Sequence, residues 1–249
     1  METGPRNLSG RRFRDRHCLC FGIVLLLAGT LLWSASTVAS PEANAATTVR
    51  EAALGDVQPE TWMTDLAAEL NNRELAHIVI PGSHDTGTYG LTGSDHDYAG
   101  TQNTTEDITA ALNQGIRQFD IRVKWVCQGQ AGCDFFARHG DYISGGLRFS
   151  QELDQVEKWT LAPGHEKEII LLNLSIDTSN GQGDPSGTCK AFTDALGSAL
   201  LTPRQLEQAY GIRDPADVTL GQLWSMPGKP RVIMDSAQCM EAGDPSAME

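Results

Sequence analysis

The amino-acid sequence predicts an α/β fold with a mostly parallel sheet, arranged as a (β/α) barrel. Three observations carry that reading. Short apolar strands alternate with amphipathic helical stretches along the chain, an order that yields parallel strands joined by helical crossovers. Reactive residue types sit at the ends of successive strands, at His84, Arg122 and His139, and barrels of this kind build their sites at the C-terminal strand ends. The third observation sets a limit. Only five or so strands can be counted before Glu249, whereas a closed barrel has eight strands in roughly 250 residues. Either the barrel is incomplete at its C-terminus or the sequence is truncated.

The elements follow in order. Arg11, Arg12, Arg14 and Arg16 precede the apolar run Cys18 to Trp33, and Ala43-Asn44-Ala45 offers a small-residue cleavage site. Residues 1–45 thus read as a signal peptide, with an uncleaved membrane anchor as the alternative. Residues 46–61 form an irregular lead-in. Trp62 to Leu70 has helical periodicity, and Ala76 to Ile80 is the first strand, ending on the small-residue turn that presents His84 and Asp85. Thr92 to Asn103 is a polar loop. Thr104 caps a helix to Asn113, which Gly115 stops. Ile116 to Val123 alternates apolar and polar residues, so it reads as a half-buried strand with Asp120 and Arg122 on one face. Phe135 to Arg138 is a short strand that delivers His139. Ser150 caps a helix to Leu161, and the apolar run Glu168 to Ile176 reads as a strand buried on both faces. Helices at Lys190–Leu200 and Arg204–Tyr210, and a strand Arg231–Asp235, complete the chain.

Composition narrows the partners. Beyond residue 45 the chain holds 14 Lys+Arg against 29 Asp+Glu, a formal charge of −15. Such a surface repels nucleic acid and strongly anionic membranes, so any phosphate recognition must be confined to a cleft. Four cysteines lie beyond the leader, Cys127, Cys133, Cys189 and Cys239. In an exported domain they suggest two disulfides, for which three pairings exist. Cys127–Cys133 would staple the loop before His139, and Cys189–Cys239 would tie the distal part of the chain. No zinc-type spacing is present.

Two histidines, an arginine and two aspartates are suited to splitting a phosphodiester. One imidazole can deprotonate an attacking hydroxyl while the other protonates the leaving alkoxide. The planar fork of Arg122 fits two phosphoryl oxygens. Each residue also has a plain structural reading: Asp120 and Arg122 could be a same-face ion pair, and His84 a hydrogen-bonded turn residue. His77, His96 and His165 read as structural or solvated. Trp125, Phe135, Phe136 and Tyr142 read as core filling, with lipid contact at the barrel mouth as the alternative.

Four segments together, IPGSHDTGTY, GIRQFDIR, ARHG and PGHEKEIILLNL, resemble in order and spacing the X region of phosphatidylinositol-specific phospholipases C, the bacterial branch in particular. The resemblance implies an α/β fold with a distorted (β/α) TIM-type barrel. It implies His84 as general base, His139 as general acid, Asp85 as the support of His139, Arg122 as the phosphate clamp and Asp120 as a support of the cluster. It places headgroup contacts near Ser175 and Ser236, where close bacterial relatives have lysine and arginine. The aspartate that orients the base in those relatives has no counterpart, so His84 is expected to lack its orienting partner. Animal members replace the Asp85 and Arg122 positions to build a calcium site, so this chain is expected to need no cofactor and no calcium. The implied partner is a phospholipid, phosphatidylinositol, met at a transient membrane interface by a secreted monomer. A glycerophosphodiesterase or other phosphodiesterase on the same fold is one alternative, and a catalytically weak headgroup-binding module is another.

Overall fold

A computed structural model describes residues 56–91, 104–127, 133–140, 142–143, 148–177, 185–236 and 239. All of them belong to one compact unit, Ala45–Glu249. The expected signal peptide, the loop Thr92 to Asn103 and His96 lie outside the described residues. No described helix is long and apolar enough to cross a membrane.

After a 3-10 turn at Pro59–Thr61, two helical turns follow, α1 (Trp62–Asp65) and α2 (Ala67–Leu70). The predicted single helix is interrupted at Leu66, whose ψ of 17° takes it out of the helical region. Strand β1 spans Gly82–Thr86, a correction to the predicted strand at Ala76 to Ile80. There Leu75–His77 forms a 3-10 turn, and Val79 is 95% exposed. The sheet begins only after Pro81, whose carbonyl accepts from the N–H groups of Arg117 and Gln118.

Helix α3 (Ile108–Asn113) is capped by Asp107, whose side chain accepts from Ala110 N, rather than by Thr104. Strand β2 (Gln118–Cys127) runs longer than expected because β3 (Cys133–His139) folds back antiparallel onto its second half. The Cys127–Cys133 disulfide closes that hairpin. A two-residue strand, β4 (Tyr142–Ile143), pairs with the end of β3. Then come α4 (Phe149–Leu161), β5 (Ile170–Asp177), α5 (Pro185–Leu196), α6 (Pro203–Tyr210), α7 (Leu220–Ser225) and β6 (Val232–Asp235). Arg148, not Ser150, precedes α4, and α7 was not anticipated. The second disulfide joins Cys189 to Cys239, so both expected pairings are present.

The parallel strand order is β1-β2-β5-β6. This is the strand–helix order of a (β/α) barrel over four parallel strands, an incomplete barrel among the described residues.

Alternation assigns the two faces of this sheet. Phe119, Ile121 and Val123 of β2, Leu172, Leu174 and Ile176 of β5, and Val232 and Met234 of β6 form one core with Phe149, Leu153 and Val156 of α4 and Phe192 and Leu196 of α5. Each such side chain contributes roughly 1.5–3 kcal/mol on burial. The aromatic rings meet edge-on, Trp125 on Phe135, and Phe192 between Phe135 and Phe149. Of the four aromatics read from the sequence, Phe135 fills this core and Trp125 packs against it, whereas Phe136 is buried outside it and Tyr142 is half-buried.

A second core of Met63, Leu75, Ile169, Val218, Leu220, Leu223 and Ile233 closes the sheet beneath the strand starts. It leaves the opposite face of the sheet polar above that level. Strand β5 is accordingly not buried on both faces: Asn173 is exposed between buried Leu172 and Leu174.

Below the sheet lies a buried ion pair. Arg117 is wholly buried, with Nε 2.9 Å and Nη2 2.8 Å from Oε2 of Glu168. Its Nη1 donates to the carbonyls of Leu112 and Ile116, and its guanidinium lies 4.6 Å over the Trp159 ring. Oε1 of Glu168 accepts from both N and Oγ1 of Thr64. Burial lowers the Arg117 pKa, and Glu168 opposes that shift. His165 stacks on Trp159 and bonds Glu60 and the Trp159 carbonyl, a structural histidine as expected.

Candidate active site

The site starts from an abrupt turn at the end of β1. Asp85 has φ +50° and Gly87 φ +92°. The first is uncommon for a residue with a side chain; the second needs glycine, because a Cβ there would stand 2.6 Å from Cβ of Ala137. This turn breaks the β1–β2 register between Ser83 and Thr86. It leaves the Asp85 carboxylate fully buried and His84 exposed.

Asp85 is the meeting point. Its Oδ1 lies 2.9 Å from Nε of Arg122; its Oδ2 lies 3.2 Å from Nε2 of His84 and 3.5 Å from Nε2 of His139. Asp120, two residues before Arg122 on β2, accepts from Nη2 of Arg122 at 2.9 Å, and the same Oδ2 lies 2.8 Å from Nδ1 of His84. The five residues singled out in the sequence are thus brought together.

One expectation is overturned. His84 does have a carboxylate at Nδ1, and it is Asp120, because the parallel register sets β1 beside β2 at this level.

The cleft has a volume of about 500 Å³ and is lined by Gly82, Ser83, His84, Gln118, Asp120, Arg122 and Asn173. Gln118 and Asn173 were missed in the sequence. The signal for them was present in the two-residue alternation of β2 and β5, and register supplied the rest, pairing Asp120 with Asn173 and Arg122 with Ser175. Ser175 is therefore beside the clamp. Ser236 is not available to a ligand: it is 1% exposed, and its hydroxyl has no hydrogen-bond partner among the described residues. Further along the cleft floor Asp235 faces a cavity of about 310 Å³ with Asn173, and burial raises its pKa.

His84, Asp85 and Asp120 each offer an atom that could ligate a cation, within 4.8 Å of one another. The donor set fits a divalent ion poorly, because Arg122 already contacts both carboxylates and its positive charge would repel a second cation there.

Beneath the turn lies Glu152 of α4, 1% exposed. Tyr89 O–H donates to its Oε1 at 3.3 Å, while its Oε2 has no hydrogen-bond partner among the described residues. Desolvation pushes its pKa up to about 7; the bond from Tyr89 opposes this and the charge of Asp107 adds to it. Burial likewise drives the Tyr89 hydroxyl up.

No family model matches the chain. Among curated proteins, mouse PI-PLC X domain-containing protein 2 is 27% identical over 209 residues, covering 76% of this chain and 56% of that protein. The human protein of the same name is 27% identical over 160 residues, 56% of this chain and 49% of its own. The chain thus spans about half the length of the curated relatives it matches.

Solved structures with a likeness include phosphatidylinositol-specific phospholipase C from Staphylococcus aureus, at 19% identity and TM-score 0.49 over 71% of this chain and 52% of that one. The enzyme of that name from Listeria monocytogenes aligns at 20% identity and TM-score 0.42, over 72% and 58%. A calcium-dependent phosphoinositol-specific phospholipase C from a Pseudomonas species aligns at 18% and 0.46, over 73% and 66%. In sequence the chain is similar to PI-PLC X domain-containing proteins.

Proposed function

We propose that this chain cleaves a phosphodiester in the manner of a phospholipase C, with phosphatidylinositol as substrate. The products are diacylglycerol and a cyclic inositol phosphate. The observation that carries this reading is the convergence of His84, His139 and Arg122 on the single buried carboxylate of Asp85. His84, held at Nδ1 by Asp120, takes the proton of an inositol hydroxyl whose oxygen bonds to phosphorus. The bond from phosphorus to the diacylglycerol oxygen breaks, and His139 gives that oxygen its proton. Asp85, 3.5 Å from Nε2 of His139, orients that ring for the transfer. Arg122 spans two phosphoryl oxygens and offsets the charge that builds up between the two steps. Because a guanidinium supplies this charge, no divalent ion is required.

Ser175 supports a second reading on the same cleft. A hydroxyl beside the clamp, where a headgroup-binding lysine is implied by the resemblance, suits a glycerophosphodiester or another small phosphodiester. Two disulfides suit an oxidising compartment and so support secretion. The substrate is met as a monomer at a transient membrane interface.

The test is phosphorus NMR of the purified protein with phosphatidylinositol in detergent micelles and a metal chelator. A cyclic phosphodiester signal supports substrate, reaction and metal independence together. Turnover of glycerophosphoinositol but not of the lipid supports the second reading. Binding without turnover of either reduces the chain to a headgroup-binding module.

A further inference from the structure

We propose that the buried carboxyl of Glu152, held by the Tyr89 hydroxyl, is a positioning residue for the reaction: it is the strut that sets the β1 turn carrying Asp85 against the strand that delivers His139. The inference rests on the reading of Asp85 and His139 as parts of the reacting centre, and it adds a residue that touches no substrate.

The turn that presents His84 and Asp85 lies directly on this carboxyl. A Cβ at Gly87 would stand 2.6 Å from Cβ of Ala137 and 3.2 and 3.3 Å from the two carboxyl oxygens of Glu152. Gly87, two residues after Asp85, is thus pinched between helix α4 and strand β3. Ala137 stands two residues before His139, hence on the same face of β3. The segment that carries Asp85 and the strand that carries His139 therefore meet over Glu152. The 3.5 Å between Oδ2 of Asp85 and Nε2 of His139 depends on that meeting. Tyr89, in the 3-10 turn Thr88–Gly90 that follows Gly87, donates its hydroxyl proton to Oε1 of Glu152 at 3.3 Å and ties the same segment to the helix.

The packing decides which form of the carboxyl fits. Thr86, Thr88 and Ala137 around it are buried. Of the groups that face it, Tyr89 and Asp107, at the start of α3, act on its charge, and neither is a cation. The charged side chains of the other elements around it are engaged elsewhere. Asp85 is held by Arg122 and His84 by Asp120, while Asp134 pairs with Arg148, and Lys124 and Arg138 share Asp177. On α5, Lys190 pairs with Asp194. An anion at Glu152 would need water that the packed turn excludes, so the neutral acid is the form that serves as strut. Burial pushes its pKa up to about 7, and the strut is intact below that pH and gives way above it. Admitting water means lifting Gly87, and Asp85 with it, away from β3, and a displacement of about 1 Å at a reacting group costs about 10²-fold in rate.

Initial rates of the full chain on phosphatidylinositol in detergent micelles, taken from pH 6 to pH 8, test the proposal. Glu152→Ala should lower kcat by about 10–100-fold at pH 6 with KM within about twofold, because the groups that bind substrate are untouched. Glu152→Gln, which keeps the shape of the neutral acid and the acceptor for Tyr89, should restore most of that rate. The ratio of kcat in Glu152→Gln to kcat in the unaltered protein cancels the titration of the two histidines. With only the neutral acid in service and a midpoint of about 7, that ratio should rise about tenfold between pH 6 and pH 8. A kcat in Glu152→Ala within about twofold of the original, or a flat ratio across that range, overturns the strut. Should Glu152→Ala fail to fold, the ratio decides alone. If the unaltered protein turns over no phosphodiester, the reading of the site fails, and the strut is judged by the ring resonances of His139 in proton–carbon NMR at pH 6. These should move in Tyr89→Phe and in Glu152→Ala and return in Glu152→Gln; unmoved resonances overturn it.

Discussion

Replacing Glu152 by glutamine changes little in shape but removes a titration, and the stability of the two proteins should diverge with pH. In the folded protein burial pushes the carboxyl pKa up to about 7, against an ordinary value of 4.5. The neutral acid is thus the form that the fold favours. Its stabilising share is complete below about pH 4.5 and is lost as the pH rises through 7, where a charge must be kept in an apolar site. At 1.36 kcal/mol per pH unit that difference is worth about 3 kcal/mol in all, most of which falls between pH 5 and pH 8.

Tyr89 and Asp107 are the titratable groups acting on this carboxyl, and neither changes charge from neutral to cationic to offset it. Urea unfolding at pH 5 and pH 8 with the disulfides intact measures the effect. The Glu152→Gln protein should gain about 2–3 kcal/mol relative to the unaltered protein on going from the lower to the higher pH. Parallel curves, diverging by less than about 1 kcal/mol, would mean that water or a rearrangement solvates the carboxylate and that the site is not as dry as its 1% exposure indicates.

Three further outcomes are expected. His84→Ala and His139→Ala should each cost about 10²–10⁴-fold in turnover of the phosphodiester while the melting temperature stays within a few degrees, because both side chains are partly solvated; near-normal rates in either variant remove that histidine from the mechanism. Arg122→Lys should lower turnover by more than it lowers stability, since an ammonium cannot span two phosphoryl oxygens, and a rate within about twofold of the original in an initial-rate assay counts against the clamp. Glu168→Met leaves the Arg117 guanidinium buried without its anion and should destabilise the fold by about 3–5 kcal/mol by chemical denaturation; a loss under about 1 kcal/mol would show that the backbone carbonyls around Arg117 suffice.

Much of β2 was legible because it does two things at once. Phe119, Ile121 and Val123 are wholly buried while Asp120 and Arg122 face the cleft, and alternation reports both. Strand β1 was misplaced for the opposite reason. GSHDT carries no apolar signal, and its strand conformation comes from pairing with Gln118 to Ile121, a contact far away in sequence. The same limit hid the partner of His84. Nothing local says that Asp120 reaches Nδ1; that follows from how β1 sits on β2. Lys124, Asn173 and Asp177 were readable as to face but not as to neighbour. Glu152 gave no warning at all, since an acidic residue in the first turn of a helix is ordinarily a solvated one.

Strand β2 pairs with β1, β3 and β5, and it carries Asp120, Arg122 and Lys124 at positions two apart. A slip of one residue in its pairing would send Asp120, Arg122 and Lys124 into the oily layer beneath and lift Phe119, Ile121 and Val123 into water. Misregistered forms of this strand are thus excluded by both faces at once, and any chain that folds at all carries its reactive groups at fixed spacing. Tuning of the reaction by sequence change is left to the β1 turn and the strand tips, where a side chain can shift without disturbing the count.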